Sequence, residues 1–351
     1  MLLIPIAFIS LIGLLILHEL SHFLLAKKFG VEVEEFGIGL PPRLFGKKIG
    51  GTLYSLNLLP FGAFVKVPEK KMREKPGWQR ALILIAGVLS FWIMAAILLS
   101  IVFWIGAPFQ ISDKENENLI NPRVQIVNIS PNSPADVAGL KVGDIIKKVK
   151  SQKSNVKSVN KIKEVQEFTR LHKGEKITLT IQRGKKEFDV ELVPRVTPPQ
   201  GEGPMGVGLV RVATKKYPLG MASWQSVLTT FQLTWQIITG YAQLVKRAVL
   251  KKPLEAELIG PVGVLNIFVQ AEILGFVYFL QTIALISLQV AVFNALPVPI
   301  ADGGRLLFLG IEKIRKKPLN EKIEQRINAA FFVLLLVLMI WVTMKDIKKL
   351  F

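Results

Sequence analysis

The sequence contains no cysteine and only three histidines among its 351 residues. Without cysteine, the chain can form neither a disulfide bond nor a thiolate-ligated metal site. Any transition metal must therefore be bound by histidine and carboxylate side chains. Acidic residues are also scarce, because 45 Lys and Arg residues face only 26 Asp and Glu residues, for a net charge of +19. We find no internal repeat, low-complexity tract or nucleic-acid-binding motif, so no nucleic-acid partner is expected.

The abundant residues are hydrophobic. They make up 50% of the chain, and the mean hydropathy is +0.41, which is too high for an ordinary soluble protein. The positive charge then fits a membrane protein beside anionic lipid. Four runs with few or no charges are long enough to cross a bilayer, namely residues 1–26, 81–105, 273–301 and 327–344. The alternative for the first run is a secretory signal peptide, but a basic start and a small-residue cleavage site are lacking.

The loop between the first two runs, residues 31–67, alternates between apolar and polar residues and contains several Gly and Pro. This pattern predicts short β-strands. Basic residues cluster around this loop, and again between Arg305 and Arg326. Because short cytoplasmic loops are enriched in Lys and Arg, we expect both loops to be cytoplasmic and both termini to lie outside.

The long connection between the second and third runs, residues 107–215, is predicted to be extracytoplasmic. Within it, residues 123–194 alternate like strands, as in "KITLTIQRGKKEFDVELVP", and "SPADVAGL" begins like a capped helix. We therefore expect a compact α+β domain in this part of the chain.

Residues 216–252 can be interpreted in two ways. The segment Tyr217–Val245 carries no charge and could form a fifth span, but it is rich in Ser, Thr and Gln. Its apolar residues recur with helical spacing, which favours an amphipathic helix at the outer membrane interface. The apolar stripe consists of Trp224, Leu228, Phe231, Trp235, Ile238, Ala242 and Val245.

Two of the three histidines lie in the first run, in "LLILHELSHFLL". His18, Glu19 and His22 form an H-E-x-x-H motif. Positions i and i+4 of a helix share one face, so both imidazoles can bind one zinc ion. Glu19 can then take a proton from a water that zinc activates. The alternative is chance packing of two histidines, which leaves three costly polar groups in an apolar span unexplained.

A catalytic zinc ion needs a third protein ligand and an open position. Since the remaining histidine, His172, lies in the predicted soluble domain, we expect a carboxylate. Asp302, in "FNALPVPIADGGR", ends the third span, although it also fits a simple turn before glycine. With one span between them, the first and third spans run in the same direction, which brings Asp302 to the depth of His18 and His22. A fifth span at residues 217–245 would place Asp302 on the opposite side.

The residues before Asp302 favour an unwound backbone, because Pro297 and Pro299 remove two amide donors. Such a segment is tolerated at membrane depth where it lines a cavity. Asn294 precedes it. Its side chain could hold a substrate backbone or stabilise an oxyanion, or it could make a helix-packing hydrogen bond instead.

Together these residues resemble the site-2 protease family of intramembrane zinc metalloproteases, in the bacterial type with a PDZ insertion. The family's HExxH motif matches His18–His22, and its N-x-x-P-x-P-x-x-D-G motif matches Asn294–Gly303. The family's "GPVG" is found at Gly260–Gly263. The end of its re-entrant β-hairpin resembles "GAFVK" at Gly62–Lys66.

Two motifs depart from the family pattern. The family's AGPxxN reads "AGVLSFW", with Val88 at the proline and Phe91 at the asparagine. The family's SxN reads Ser287-Leu288-Gln289. Both departures leave the expected zinc ligands intact, but no packing or substrate role is carried over to these positions.

The resemblance implies an α-helical multi-pass membrane protein with four transmembrane helices, a cytoplasmic-side re-entrant β-hairpin and an inserted extracytoplasmic PDZ-like domain. Residues 1–106 and 253–351 would form the two halves of the protease core. Zn²⁺ would be bound by His18, His22 and Asp302, with Glu19 as the catalytic base. The location would be the bacterial inner membrane, with the active site near the cytoplasmic side.

The segment "VNISPNSPADVAGLKVGDIIKKV" resembles the PDZ signature of bacterial proteases. Such domains bind the C-termini of peptides by strand addition, and "GPMGVGL", Gly203–Leu209, is a candidate for the carboxylate-binding loop. The alternative is a steric filter that excludes bulky substrates. Both interpretations remain open at this point.

The expected function is hydrolysis of a peptide bond in or near the transmembrane segment of single-pass membrane proteins. The resemblance implies substrates such as anti-sigma factors or remnant signal peptides. Two other functions are alternatives, a membrane adaptor without enzymatic activity and a metal transporter. A transporter predicts ionisable residues along its spans, but the second and fourth runs have none.

Overall fold

The structure is a computed structural model that describes residues 3–115, 119–151, 154–252, 259–317 and 319–350. The chain forms two compact units. The first unit combines Met1–Ser100, Ser223–Val269 and Leu280–Phe351. The second unit combines Ile101–Ala222 and Gln270–Phe279.

The helices in chain order are α1 Leu3–Lys28, α2 Glu69–Arg73, α3 Gly77–Ile105, α4 Pro134–Val137, α5 Ile162–Leu171, α6 Leu219–Val249, α7 Pro261–Leu274, α8 Phe276–Ala295, α9 Asp302–Arg315 and α10 Glu321–Leu350. The strands are β1 Glu35–Ile49, β2 Thr52–Lys66, β3 Ala107–Gln110, β4 Ile120–Ile129, β5 Ile145–Ser151, β6 Ser154–Ser158, β7 Ile177–Arg183, β8 Lys186–Leu192 and β9 Val207–Lys215. Among the helices of the described residues, α1, α3, α8 and α10 are long and apolar enough to cross a membrane. The four long apolar helices expected from the sequence are therefore present, while their orientation across the membrane stays a prediction.

Helix α1 carries the H-E-x-x-H motif and ends shortly after it. The amide of Gly30 donates to the carbonyl of Lys27, and the amide of Val31 donates to the carbonyl of Ala26. Gly30 has a φ of +65°, which an L-residue rarely adopts, so this is a glycine-dependent Schellman ending. The two lysines of the last turn also interact favourably with the helix dipole. The ending leaves the motif in the last three turns of the span.

Strands β1 and β2 form a hairpin that folds back on itself. Residues 35–38 pair with residues 53–56 on one side and with residues 63–66 on the other, while residues 43–49 pair with residues 52–57. The register is parallel between residues 35–38 and 53–56 and antiparallel in the other two pairings. Residues 63–66 pair only with residues 35–38 among the described residues, so they form one edge of the sheet. The β-rich loop predicted at residues 31–67 is therefore present.

Helix α6 packs against α3 and α8 through polar side chains and through the apolar residues Leu233 and Ile237. Nε1 of Trp92 donates to Oγ1 of Thr234 at 3.2 Å, and the hydroxyl of Tyr241 donates to Oε1 of Gln289 at 3.1 Å. The predicted apolar stripe is exposed instead, with 60% of Phe231 accessible. A helix with a packed polar face and an exposed apolar face suits contact with lipid. Its location at the outer interface stays a prediction.

The second unit contains a seven-stranded sheet in the order β3-β9-β4-β5-β7-β8, with β6 paired to β5. Its core includes Ile126, Ile146, Val165, Leu179 and Val190. The sheet includes β3 and β9, which lie outside residues 123–194. Strand β9 joins it by pairing with β4 along most of its length. The limits of the PDZ-like domain stay a prediction.

Local features of the second unit follow the sequence closely. The Ser133 side chain caps α4 by accepting a hydrogen bond from the amide of Asp136 at 3.2 Å, as the helix-start pattern predicted.

The segment Gln270–Phe279 also belongs to this unit, and the hydroxyl of Tyr278 donates to Oε1 of Gln125 at 3.2 Å. The PDZ assignment and the role of the loop Gly203–Leu209 stay predictions.

Candidate metal centre

The two histidines of α1 lie one helical turn apart, and their Nε2 atoms are close together. The distance between these two atoms is 3.3 Å. The carboxylate of Asp302, at the first position of α9, completes the group. Its Oδ2 atom lies 3.6 Å from Nε2 of His18 and 3.3 Å from Nε2 of His22. The structure thus brings together the three residues that the sequence pattern put forward.

This donor set fits a zinc ion. Ligand atoms about 2.0–2.2 Å from a tetrahedral zinc ion stand about 3.3–3.6 Å from one another. The three donor distances of 3.3, 3.3 and 3.6 Å match that spacing. In addition, Oδ2 of Asp302 is buried and makes no hydrogen bond to any residue that the structure describes. A buried carboxylate oxygen between two imidazole nitrogens is the arrangement expected for a metal ligand.

Helix α3 supports both imidazoles. The carbonyl of Ile83 accepts a hydrogen bond from Nδ1 of His22 at 2.8 Å. Nε2 of His22 therefore carries the lone pair that can bind a metal. The ring of Phe91, which is 2% exposed, stacks on His18 with 4.7 Å between ring centroids. Between them, Gly87 leaves the space that the imidazoles fill. A Cβ atom there would overlap the ring of His22 and lie 2.5 Å from Cε1 of His18.

The sequence did not predict the supporting role of these α3 residues. Phe91 stands out in the sequence only as a departure from a family motif. The available signal was spacing, because residues 83, 87 and 91 follow one another at i, i+4 and i+8 and so share one helix face. Ser287, in the second departing motif, adds a contact between helices, since its Oγ donates to the carbonyl of Phe91 at 2.8 Å.

The backbone before Asp302 is unwound between α8 and α9, as the two prolines predicted. The amide of Val298 donates to the carbonyl of Leu296 at 2.7 Å, and the amide of Ala301 donates to the carbonyl of Val298 at 2.9 Å. Gly303 and Gly304 pack directly against this segment. A Cβ atom at Gly304 would overlap the carbonyl oxygen of Val298. The two glycines therefore let the start of α9 pack closely against the unwound segment, and this packing positions Asp302. The Asp-Gly pair thus does more than form a turn.

A cavity of about 560 Å³ contains the three donors. Glu19 and Asn294 also line it, together with Val65 and Lys66 at the end of β2 and the following Val67. Nδ2 of Asn294 donates to the carbonyl of Val290 in its own helix at 3.0 Å, so a helix hydrogen bond coexists with a position on the cavity wall. His172 belongs to the second unit, where its Nδ1 donates to the carbonyl of Phe168.

Comparison with known proteins identifies the family. The profile of Peptidase family M50 matches residues 6–338. A Clostridium perfringens protein with the name "putative zinc metalloprotease" is 33% identical over 360 residues, which cover 97% of each chain. Zinc metalloprotease RasP of Geobacillus kaustophilus is 26% identical over 437 residues, which cover 99% of this chain and 98% of that protein. Zinc metalloprotease RasP of Oceanobacillus iheyensis is 26% identical over 442 residues, with 99% of each chain covered.

The profile match and the 33% identity extend over nearly the whole chain, and the donor set described above fits the metal in the relatives' names. The chain therefore belongs to peptidase family M50, the site-2 proteases, and is a zinc-dependent membrane metalloprotease.

Proposed function

We propose that this protease hydrolyses a peptide bond in or near the transmembrane segment of single-pass membrane proteins. In this proposal, His18, His22 and Asp302 bind Zn²⁺, and Glu19 is the general base. The main observation behind this proposal is that three donor atoms meet beside Glu19 in one cavity. Residues of α1, α3, α8 and α10, the helices apolar enough to cross a membrane, are part of the cavity wall.

The chemistry is divided between the metal and the chain. A zinc ion at this position supplies Lewis acidity, which activates water and polarises a carbonyl group. Glu19 accepts the proton of the attacking water and then transfers it to the leaving amine. Its position supports both steps, because it neighbours His18 in sequence and lines the same cavity. Asn294 is proposed to bind the substrate carbonyl with the amide hydrogen that its helix hydrogen bond leaves available.

The substrate must unwind before it is cleaved, since a transmembrane helix keeps its amide groups in internal hydrogen bonds. The β-sheet of the first unit offers a partner for the unwound chain. Its edge, residues 63–66, pairs with residues 35–38 and with no other strand in the described part of the chain. Val65 and Lys66 of this edge line the cavity. We propose that the substrate adds to this edge as an extra strand.

The orientation follows from the charge of the loops. Because the basic loops favour the cytoplasm, we propose that the active site lies near the cytoplasmic side of the bacterial inner membrane and that the second unit is extracytoplasmic. That unit is proposed to be a PDZ-like domain that binds substrate C-termini or excludes bulky substrates. Anti-sigma factors and remnant signal peptides are the proposed substrate types, because both are single-pass segments.

The test compares two substitutions in the zinc-loaded full-length protein. Glu19→Gln should keep zinc but lose cleavage of a transmembrane test substrate by roughly 100-fold or more, because no group accepts the proton of the attacking water. Asp302→Asn should lose zinc itself, as measured by metal analysis after dialysis. Glu167→Gln, an exposed change in α5, is the matched control and should behave like the unmodified protein.

Two outcomes would contradict the proposal. Substantial cleavage by Glu19→Gln would remove Glu19 from the role of general base. Full zinc content in Asp302→Asn would remove Asp302 from the ligand set. The substrate class is tested separately, by comparing the membrane proteins that accumulate in cells with Glu19→Gln and in cells with the unmodified protein.

A further inference from the structure

One face of α9 continues the wall of the cavity beyond the candidate metal centre. Asp302, Arg305, Leu309 and Glu312 follow one another at intervals of three or four residues and all line the cavity. Intervals of three and four residues place side chains on one side of a helix. Arg305 therefore lies one turn along α9 from Asp302, on the same side.

Four cationic side chains line this cavity, and three of them have carboxylate partners. The ion pairs join Lys66 to Glu34 at 3.0 Å, Arg73 to Glu69 at 2.8 Å and to Glu324 at 3.2 Å, and Arg80 to Glu312 at 3.1 Å. Arg305 is the fourth. Within the described ranges, its guanidinium makes neither a hydrogen bond nor an ion pair, and its side chain is exposed.

Arg305 is close enough to the candidate centre to influence it. It lines the same cavity as His18 and Glu19 and lies one helical turn from Asp302. A guanidinium presents a rigid fork of donors that matches a carboxylate in a bidentate pair. A cation with unused donors, one helical turn from a metal ligand, is suited to hold an anion that the reaction brings into this cavity.

The proposed reaction produces such an anion in every turnover. Water adds to the carbonyl carbon, the C–N bond breaks, and the amine leaves with a proton. The new carboxylic acid is ionised at neutral pH and is therefore an anion. We propose that Arg305 binds the carboxylate of the product peptide that ends at the cleaved bond. This inference rests on the proposed function and assigns recognition of the cleaved peptide to Arg305.

Arg305 would then make product binding depend on charge. In the cavity, the new carboxylate faces Glu19 and Asp302, which are both acidic. The guanidinium offsets this repulsion and competes with the candidate metal centre for the carboxylate. A product peptide with a free carboxylate should therefore bind more tightly than the same peptide with a terminal amide.

The experiment measures inhibition of the zinc-loaded full-length protein by two synthetic peptides. Both have the sequence of the product that ends at the cleaved bond of the test substrate, one as the acid and one as the amide. The acid should inhibit the unmodified protein roughly tenfold more strongly than the amide. In Arg305→Gln, the ratio should fall to about one while inhibition by the amide is unchanged. Arg305→Lys should keep part of the ratio, because it keeps the charge but not the fork.

Arg80→Gln is the matched control, because it removes a cation of the same cavity whose partner is Glu312, and it should keep the ratio. If Arg305→Gln left the ratio of acid to amide inhibition unchanged, the inference would be wrong, and the carboxylate would bind at the metal instead. Loss of zinc in both Arg305→Gln and Arg305→Lys would also overturn it, since the role would then be structural. Failure of the proposed function is distinguishable, because it shows as cleavage by Glu19→Gln.

Discussion

The two halves of the candidate metal centre are built in different ways. His18 and His22 lie on a regular helix, where a spacing of four residues alone puts both side chains on one face. Asp302 lies at a break between α8 and α9, where an unwound segment and two closely packed glycines determine its place. The histidine half is thus specified by local periodicity. The aspartate half depends on backbone contacts that only the assembled chain provides.

The strongest test of this comparison is Gly304→Ala in the aspartate half. The new methyl group would overlap the carbonyl oxygen of Val298 and lie 2.7 Å from Cα of Pro299, so the backbone itself must move. A displacement of about 1 Å at a catalytic group can lower the rate roughly 100-fold. We expect a loss of cleavage of that size, with lower zinc content and a lower melting temperature in detergent.

The matched control is Gly310→Ala on the same helix, where an added Cβ atom meets nothing within 4 Å. It should leave zinc content and cleavage unchanged, and it should raise stability by about 0.5–1 kcal/mol because alanine favours the helix. Normal zinc binding by Gly304→Ala would show that the glycine pair does not position Asp302.

A smaller effect is expected from Gly87→Ala, which affects the histidine half. The new methyl group would meet imidazole atoms of His18 and His22 rather than backbone. The rings must therefore shift, while the helices can stay in place. We expect zinc affinity to fall roughly 10-fold or more, with little change in thermal stability. Titration with a competing chelator measures the affinity.

Gly13→Ala is the control for this variant, since a Cβ atom there also meets nothing within 4 Å and it lies on the same helix as the histidines. The contrast between the two halves would be contradicted if Gly87→Ala lowered thermal stability as strongly as Gly304→Ala. In that case both halves would depend on backbone packing.

The smallest effect is expected from Ser287→Ala, which removes the hydrogen bond from α8 to the carbonyl of Phe91. This buried contact joins the helix that precedes Asp302 to the helix that supports the histidines. Its loss should cost about 1 kcal/mol of stability and change cleavage less than the glycine variants do. Thermal unfolding in detergent measures the first effect, and a tenfold loss of cleavage would contradict the second.

The sequence predicted the helical part of the fold well. The four apolar runs became α1, α3, α8 and α10, because a bilayer requires about 20 apolar residues in each crossing helix. The full extent of the sheet in the second unit could not be predicted in the same way. Strand β9 pairs with β4 although about 80 residues separate the ends of the two strands. Pairing over such a distance leaves no periodic signal in either segment.

The polar face of α6 illustrates the same limit. Its apolar stripe was visible in the sequence, but the pattern could not show which face packs against other helices. In water the apolar face would be buried, whereas here Ser226 and Thr230 are buried and Trp235 is 67% exposed. When the surrounding solvent is lipid, apolar side chains gain little from burial, so small polar side chains contribute to the helix contacts beside Leu233 and Ile237.

For the candidate metal centre, the sequence by itself determined the donor types. With no cysteine and three histidines, only imidazoles and carboxylates were available, and helical periodicity paired His18 with His22. Tertiary structure decided how Asp302 reaches them, why Gly87 must lack a side chain and which cation of the cavity has no carboxylate partner within the described residues. Periodicity is a property of one segment, whereas close approach and charge pairing arise only where separate segments meet.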